Sequence, residues 1–191
     1  MTGRTHDLAA FTAVSFIVAT QPISHMSLAT AFVAFSANMI GGLTPDIDQP
    51  TGALWHRMTL GTLFGKFISP LFGGHRFISH SILGIILFGV LSKLFLMLIS
   101  GVLIVDMNIV WWAFMIGVVS HLVTDTFTHD GVPWLFPIPL HIGIPPLKVL
   151  RFHTGGIIEK GIVFPGLVLL NMWIFYSHHA QIIDFLKHNI R

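Results

Sequence analysis

The chain has 191 residues, of which 53% are hydrophobic and only 9% charged, against about 25% charged in an ordinary soluble domain. That balance, with a mean hydropathy of +0.80, excludes a fold kept in solution by a polar surface and points to the bilayer, which solvates apolar side chains directly. A formal net charge of +2 gives no support to nucleic-acid binding, and the lack of cysteine excludes disulfides, Cys-ligated zinc and iron–sulfur clusters.

A spanning helix needs about 20 mostly apolar residues, and five stretches are read as spans. The opening Met1 to Asp7 is polar and shows no obvious small-residue cleavage site, so the first stretch, Leu8 to Ile23, reads as a retained span that stops at Thr20-Gln21-Pro22. The second runs from Met26 to Leu43 and closes at Gly41-Gly42. Thr44 to Ser79 then intersperses Trp55, Met58, Leu63, Phe64, Phe67 and Leu71 with Arg57 and Lys66. That is the pattern of an amphipathic helix in the headgroup region, with a re-entrant hairpin as the alternative. The third span runs from His80 to Leu98 and the fourth from Val110 to Phe127. His129 to Lys160 is rich in Pro and Gly and reads as a structured cap; Gly161 to Tyr176 is the fifth span. The expectation is an all-α, multi-pass transmembrane helical bundle forming a single domain over 1–191.

Basic residues orient the bundle. With five spans, Arg4, the group Arg57, Lys66 and Arg76, and the group Lys148, Arg151 and Lys160 all fall on one side, which the positive-inside rule makes cytoplasmic. Lys187 and Arg191 fall on the other side, where a tail folded into the interface accommodates them. Trp111 and Trp112 fall at the outer interface as an aromatic belt, and Lys93, deep in the third span, is expected to snorkel outward.

The same orientation gathers the chemistry-bearing residues. His6, Asp46, Asp48, His75, Arg76, His80, His121 and Asp125 all come to the cytoplasmic level, delivered by four helix ends. Ionisable groups at membrane depth face a partner or a cavity, and a shared cation satisfies all of them. His121 and Asp125, four apart, stand on one helix face and suit two ligands of one ion, or else a plain polar pair. Asp46 and Asp48 leave a Pro-fixed turn; without a cation they repel, although a capping turn is the simpler role for either. Arg76 offers a planar fork to an anion, or an anchor to headgroups. Ser81 reads as a helix cap. His129-Asp130 is a reserve pair, and Glu159 is placed to orient a ligand or the cap. His25, His178, His179 and His188 fall on the opposite side, and His56, His141 and His153 lie in loops.

Taken together, His6, Leu43-Thr44-Pro45-Asp46-Ile47-Asp48-Gln49-Pro50, Gly74-His75-Arg76-Phe77-Ile78-Ser79-His80-Ser81, Gly117 to His121, Asp125, Thr128 and Gly131-Val132-Pro133 resemble the bacterial membrane-bound, LexA-regulated predicted metal-dependent hydrolases of the YdjM type. Gln49 stands where that family often has His, Phe77 where it has Gly, and Ser79 where it has Thr. The resemblance implies a bacterial inner-membrane, metal-dependent hydrolase with its N-terminus and site on the cytoplasmic side. The metal shell would be His6, Asp46, Asp48, His80, His121 and Asp125, with His75 the next ligand. Asp48 would bridge or act as base, and Arg76 would hold an anionic group. One or two zinc ions fit such ligands, with Mn2+ or Fe2+ as alternatives. The substrate expected is a phosphoester or a lipid-derived molecule reached from the bilayer. The rival readings are a metal-ion or proton transport protein and a non-enzymatic membrane protein with a structural metal. The sequence leaves the oligomeric state open.

Overall fold

The structure is a computed structural model and describes residues 1–21, 26–72, 76–138 and 140–189. Eight α-helices follow one another: α1 (Gly3–Thr20), α2 (Leu28–Leu43), α3 (Ala53–His56), α4 (Gly61–Ile68), α5 (Ile82–Ile99), α6 (Met107–Asp125), α7 (Phe164–Ser177) and α8 (His179–Asn189). Among the described residues there is no sheet, only two isolated bridges in the cap. Three of the long helices, α2, α5 and α6, start where the sequence supplies a side-chain cap. Ser27 accepts from the Thr30 N–H, Ser81 from Gly84, and Asp106 from Asn108 and Ile109, satisfying backbone donors that have no partner within the helix. One π-turn, Glu159–Val163, leads into α7, whose first turn carries Pro165.

Among the described residues four helices are long and apolar enough to cross a bilayer: Leu28–Asp48, Ile82–Ile99, Met107–Asp125 and Glu159–Ser177. The chain is thus an all-α multi-pass protein. The first expected span is also a helix, α1, but Arg4, His6 and Asp7 in its opening turns set it apart from those four. It packs against α2, α6 and α7. Phe11 meets Phe35 and Phe175 with ring centroids 5.6 and 5.8 Å apart, and Asn171 donates to the Thr12 hydroxyl at 2.6 Å.

The tightest seam joins α2 to α6. Gly41 and Gly42 do not close the second span; they lie inside α2, which continues to Leu43. A Cβ on Gly41 would strike the Phe114 carbonyl, and one on Gly117 the Asn38 carbonyl. Small residues let the two backbones approach, as at membrane helix interfaces generally. Asn38 adds a hydrogen bond to the Ala113 carbonyl at 2.9 Å. Farther from the cluster of ionisable groups, Ala34, Leu96, Val110 and Ala113 form an apolar core. The outer faces of α5 and α7 expose residues such as Leu94, Leu98 and Met172, as lipid contact requires.

The expected amphipathic helix is broken in two. Leu60 adopts φ 63° between α3 and α4, and Gly61 and Gly65 fold the second piece onto buried Trp55. The apolar residues Leu63, Phe64, Phe67 and Leu71 remain exposed, consistent with a place among headgroups. The cap is fastened by Arg151, whose guanidinium donates to the carbonyls of Pro145 and Pro146 at 2.7 and 2.8 Å. Of the two expected belt tryptophans, Trp112 is exposed, whereas Trp111 turns inward and donates to the Gly89 carbonyl at 2.9 Å. Lys93 reaches Asn108 on the next helix at 2.7 Å, passing over the Trp111 ring. At the far end α8 leaves α7 at His178, and Ile182 and Phe185 close over α1 and α2.

Candidate metal centre

Five of the expected ligands meet at one point between the helix ends. His6 comes from the second turn of α1, Asp46 from the 3-10 turn Thr44–Asp48 that ends α2, His80 from the turn before α5, and His121 and Asp125 from the last turns of α6. The ligand atoms of His6, Asp46 and His121 lie within 4.8 Å of one another, as do those of His80, His121 and Asp125. All three imidazoles are fully buried. The side chain of Asp46 is 15% exposed, which makes it the ligand nearest to the outside.

The outer ring nitrogens fix how the inner ones point. His121 Nδ1 lies 2.7 Å from the Gly42 carbonyl. A carbonyl only accepts, so in a neutral ring Nδ1 carries the proton and Nε2 keeps its lone pair. The Thr124 hydroxyl donates to the His121 carbonyl and therefore offers a lone pair to His6 Nδ1, 3.2 Å away. Ser79 donates to Asp48 Oδ2 and likewise faces His80 Nδ1 at 2.9 Å. In the neutral rings of His6 and His121 the lone pair thus falls on Nε2, whereas His80 stands between Asp46 and Asp48, which favour its charged form. Partners of this kind orient metal-bound histidines and raise their basicity.

What the Nε2 atoms face is carboxylate. Asp46 Oδ1 is 3.6 Å from both His80 Nε2 and His121 Nε2. Asp125 Oδ1 is 3.3 Å from His6 Nε2, and its Oδ2 is 3.8 Å from His121 Nε2. The Nε2 atoms of His6 and His121 make no hydrogen bond. At His6 and His121 acceptor confronts acceptor in a dry site, which a cation reconciles. Two ligands each about 2.1 Å from a tetrahedral zinc stand about 3.4 Å apart, and the observed 3.3–3.8 Å separations fit that spacing. The rings of His6 and His121 stack in parallel 3.6 Å apart. Both triads use the same His121 Nε2, so the donor set fits one shared ion better than two.

A profile of the YdjM inner membrane protein family matches residues 1–182. The chain belongs to that family. YvsG of Bacillus subtilis is 29% identical over 179 residues, 92% of this chain and 95% of that protein. The inner membrane protein YdjM of Escherichia coli is 30% identical over 135 residues, 71% of this chain and 63% of that protein, and its Shigella flexneri counterpart gives the same figures. No solved structure matches. The multi-pass helical architecture fits the bacterial inner membrane that the family description names.

Other expected site residues of this YdjM-family protein stand around the cluster. Asp48 is fully buried behind His80, with Oδ2 3.5 Å from His80 Nδ1 and 2.9 Å from the Arg76 backbone N–H it accepts. That places it at the outer nitrogen of a ligand ring, in the position of an orienting carboxylate. Arg76, at φ 62°, donates to Asp125 Oδ2 at 2.6 Å and lies 3.3 Å from Asp130 Oδ2 and from the Gly131 carbonyl. Its fork is engaged by the protein's own acceptors, so it positions Asp125. His75 lies outside the described residues. His80 lies before the α5 span. Burial disfavours its charged form, but hydrogen bonds and the charges of Asp46 and Asp48 outweigh burial and push it up to about 9.

Three features escape a reading by residue type. Thr124 and the Gly42 carbonyl hold imidazoles, yet neither belongs to a metal-binding pattern. Glu159 accepts from the Thr2 N–H at 2.8 Å, the Thr5 hydroxyl at 2.6 Å and the Gly155 N–H at 2.7 Å. It therefore clamps the start of α1 to the cap beside α7, away from the ligand rings. Of the two roles the sequence offers Glu159, orienting a ligand or the cap, its contacts match the cap. The Met1 amino group also contacts Asp125 Oδ1. Of the reserve pair, Asp130 reaches the cluster only through Arg76, and His129 stacks on His153 at 4.7 Å.

Proposed function

We infer that this protein is a metal-dependent hydrolase acting at the cytoplasmic face of the inner membrane on a phosphoester or a lipid-derived ester. The observation that carries the reading is the convergence of His6, His80 and His121, each held at Nδ1, upon the oxygens of Asp46 and Asp125. Zinc is the ion best matched to three imidazoles and carboxylates; manganese and iron share the ligand type. When bound, the ion supplies Lewis acidity and a water nucleophile near neutral pH.

The chain's own groups do the rest. His6, His80, His121 and Asp125 would hold the ion, and Asp46, partly exposed, would be the ligand nearest to an incoming substrate. Asp48 and Ser79 fix His80, and Arg76 fixes Asp125. In the hydrolysis of a phosphoester, the water oxygen bonds to phosphorus and the ester P–O bond breaks. The leaving oxygen takes a proton, and Asp46 is the nearest exposed carboxylate to relay it. The site end also carries most of the basic residues, including Arg4, Arg57 and Lys160, which supports the cytoplasmic orientation.

A transport role needs a polar path onward. Beyond the cluster the bundle is filled by Ala34, Leu96, Val110 and Ala113, which favours a closed site over a conduit. The test is metal content in the detergent-purified protein. The wild type is expected to carry about one zinc per chain, and His121→Ala and Asp46→Ala to lose it along with metal-dependent phosphoester turnover. A wild type without stoichiometric metal, behaving like both variants, ends the hydrolase reading. Metal without turnover on any ester leaves a structural ion.

A further inference from the structure

One lipid-facing groove leads to the cluster. Its floor is a face of α6 running from Trp112 through Ile116, Val119 and Val123 to Thr124; α1 and α7 form one wall and Ile85 of α5 stands on the other side. It encloses about 660 Å³, within the range of small-molecule sites. From Trp112 to Thr124 the floor is about 18 Å long at about 1.5 Å per residue. One leaflet's share of the hydrocarbon core is about 15 Å.

The groove exists because α1 turns small side chains toward it. Ala9, Thr12 and Ala13 recur at helical spacing on that wall. Its hydroxyls are already committed. Thr12 donates to the Leu8 carbonyl at 2.7 Å, Ser120 to Gly117 at 2.8 Å and Thr124 to His121 at 2.9 Å. What remains facing the bilayer is hydrocarbon. One end differs: the Thr124 hydroxyl there lies 3.2 Å from His6 Nδ1, and the next residue is the ligand Asp125. An apolar slot about 18 Å long thus stops one hydroxyl short of the candidate ligand Asp125.

We propose that this groove seats one hydrocarbon chain of a membrane lipid and presents the ester of its headgroup to the His6–Asp125 end of the cluster. The substrate is then a lipid drawn sideways from the bilayer, and a soluble phosphoester is excluded. This rests on the hydrolase reading. The lipid keeps its chain in an apolar medium throughout, so entry costs little desolvation. Water reaches the same centre past Asp46, on the exposed side.

The test uses the full chain in phosphatidylcholine vesicles doped with a single-chain lysophospholipid bearing a diazirine on its acyl tail. Photolysis is followed by mapping of the labelled residues, with bound zinc measured on the same samples. The expected result is labelling of Val119, Val123 and Ala13 that saturates at low probe content. Labelling of Leu94 and Leu98 on the outer face of α5 should instead rise in proportion to the probe. Ala13→Trp should cut groove labelling at least tenfold with zinc content unchanged, and Leu94→Trp should not. If Ala13→Trp fails to fold, Val123→Trp, at an already exposed position, gives the same reading. Unsaturable labelling that merely follows exposure overturns the proposal while leaving a zinc-loaded hydrolase standing. Crosslinks from the groove to a second chain overturn it in favour of a protein interface. A wild type without zinc removes the hydrolase reading, and the assignment of the groove to a substrate falls with it.

Discussion

At the far end of the bundle, His178 and His179 place Nδ1 3.0 and 2.8 Å from the carbonyls of Ile174 and Tyr176, on the turn just behind them. Their partners are local, and His179 is exposed. At the near end, His6 is held by Thr124 of another helix and His121 by Gly42 of another helix, and both rings are fully buried. The residue type is the same. The difference is that the near-end rings are anchored across helices, so their second nitrogens converge. Local satisfaction makes a histidine inert, whereas satisfaction by a neighbouring element aims it.

That contrast predicts a graded response. Removing an orienting group at the near end should weaken metal binding without abolishing it: Asp48→Asn is expected to lower zinc affinity by about 10–100-fold, read by competition with a chromogenic chelator. An unchanged affinity would mean that Asp48 does not aim His80. A subtler effect concerns pH. His80 is pushed up to about 9 from the ordinary imidazole value of 6.5, so the metal-free fold binds a proton there that the unfolded chain releases. Its contribution to stability is complete below 6.5 and is lost as pH rises through 9. Melting of the chelator-treated protein should therefore fall over that window, while the zinc-loaded protein, which needs the ring neutral, lacks this component. Equal slopes with and without zinc, or in His80→Gln, would refute this. The smallest effect belongs to the far end. His179→Ala should change stability by no more than about 0.5 kcal/mol and leave zinc content alone. A loss of metal there would erase the distinction between the two ends.

The spans were legible because lipid imposes a simple demand on length and apolarity, and four of the five expected stretches meet it. The first is marked by Arg4, His6 and Asp7, the residues that bring it to the site, so chemistry and span length competed for the same turns. The clustering was legible too: His6, Asp46, His80, His121 and Asp125 stand together as their polarity at membrane depth suggested. Their division of labour was not. Composition shows that Asp48 and Arg76 are charged, but only the fold shows that Asp48 faces an outer ring nitrogen and that Arg76 is engaged by Asp125 and Asp130. Gly41 and Gly42 looked like punctuation because a glycine pair reads as a break. Only the partner helix reveals that they are contact surface.

That contact surface has a mechanical consequence. The carbonyl of Gly42 that tethers the His121 ring belongs to the same stretch of α2 whose missing side chains let Gly117 of α6 press against it. The joint between the two helices and the aim of the imidazole are one assembly. A slip of α2 along α6, of the order of a single residue rise, about 1.5 Å, would drag the tether and swing Nε2 off its target. Helix registry at this joint thus sets the gauge of the candidate metal pocket.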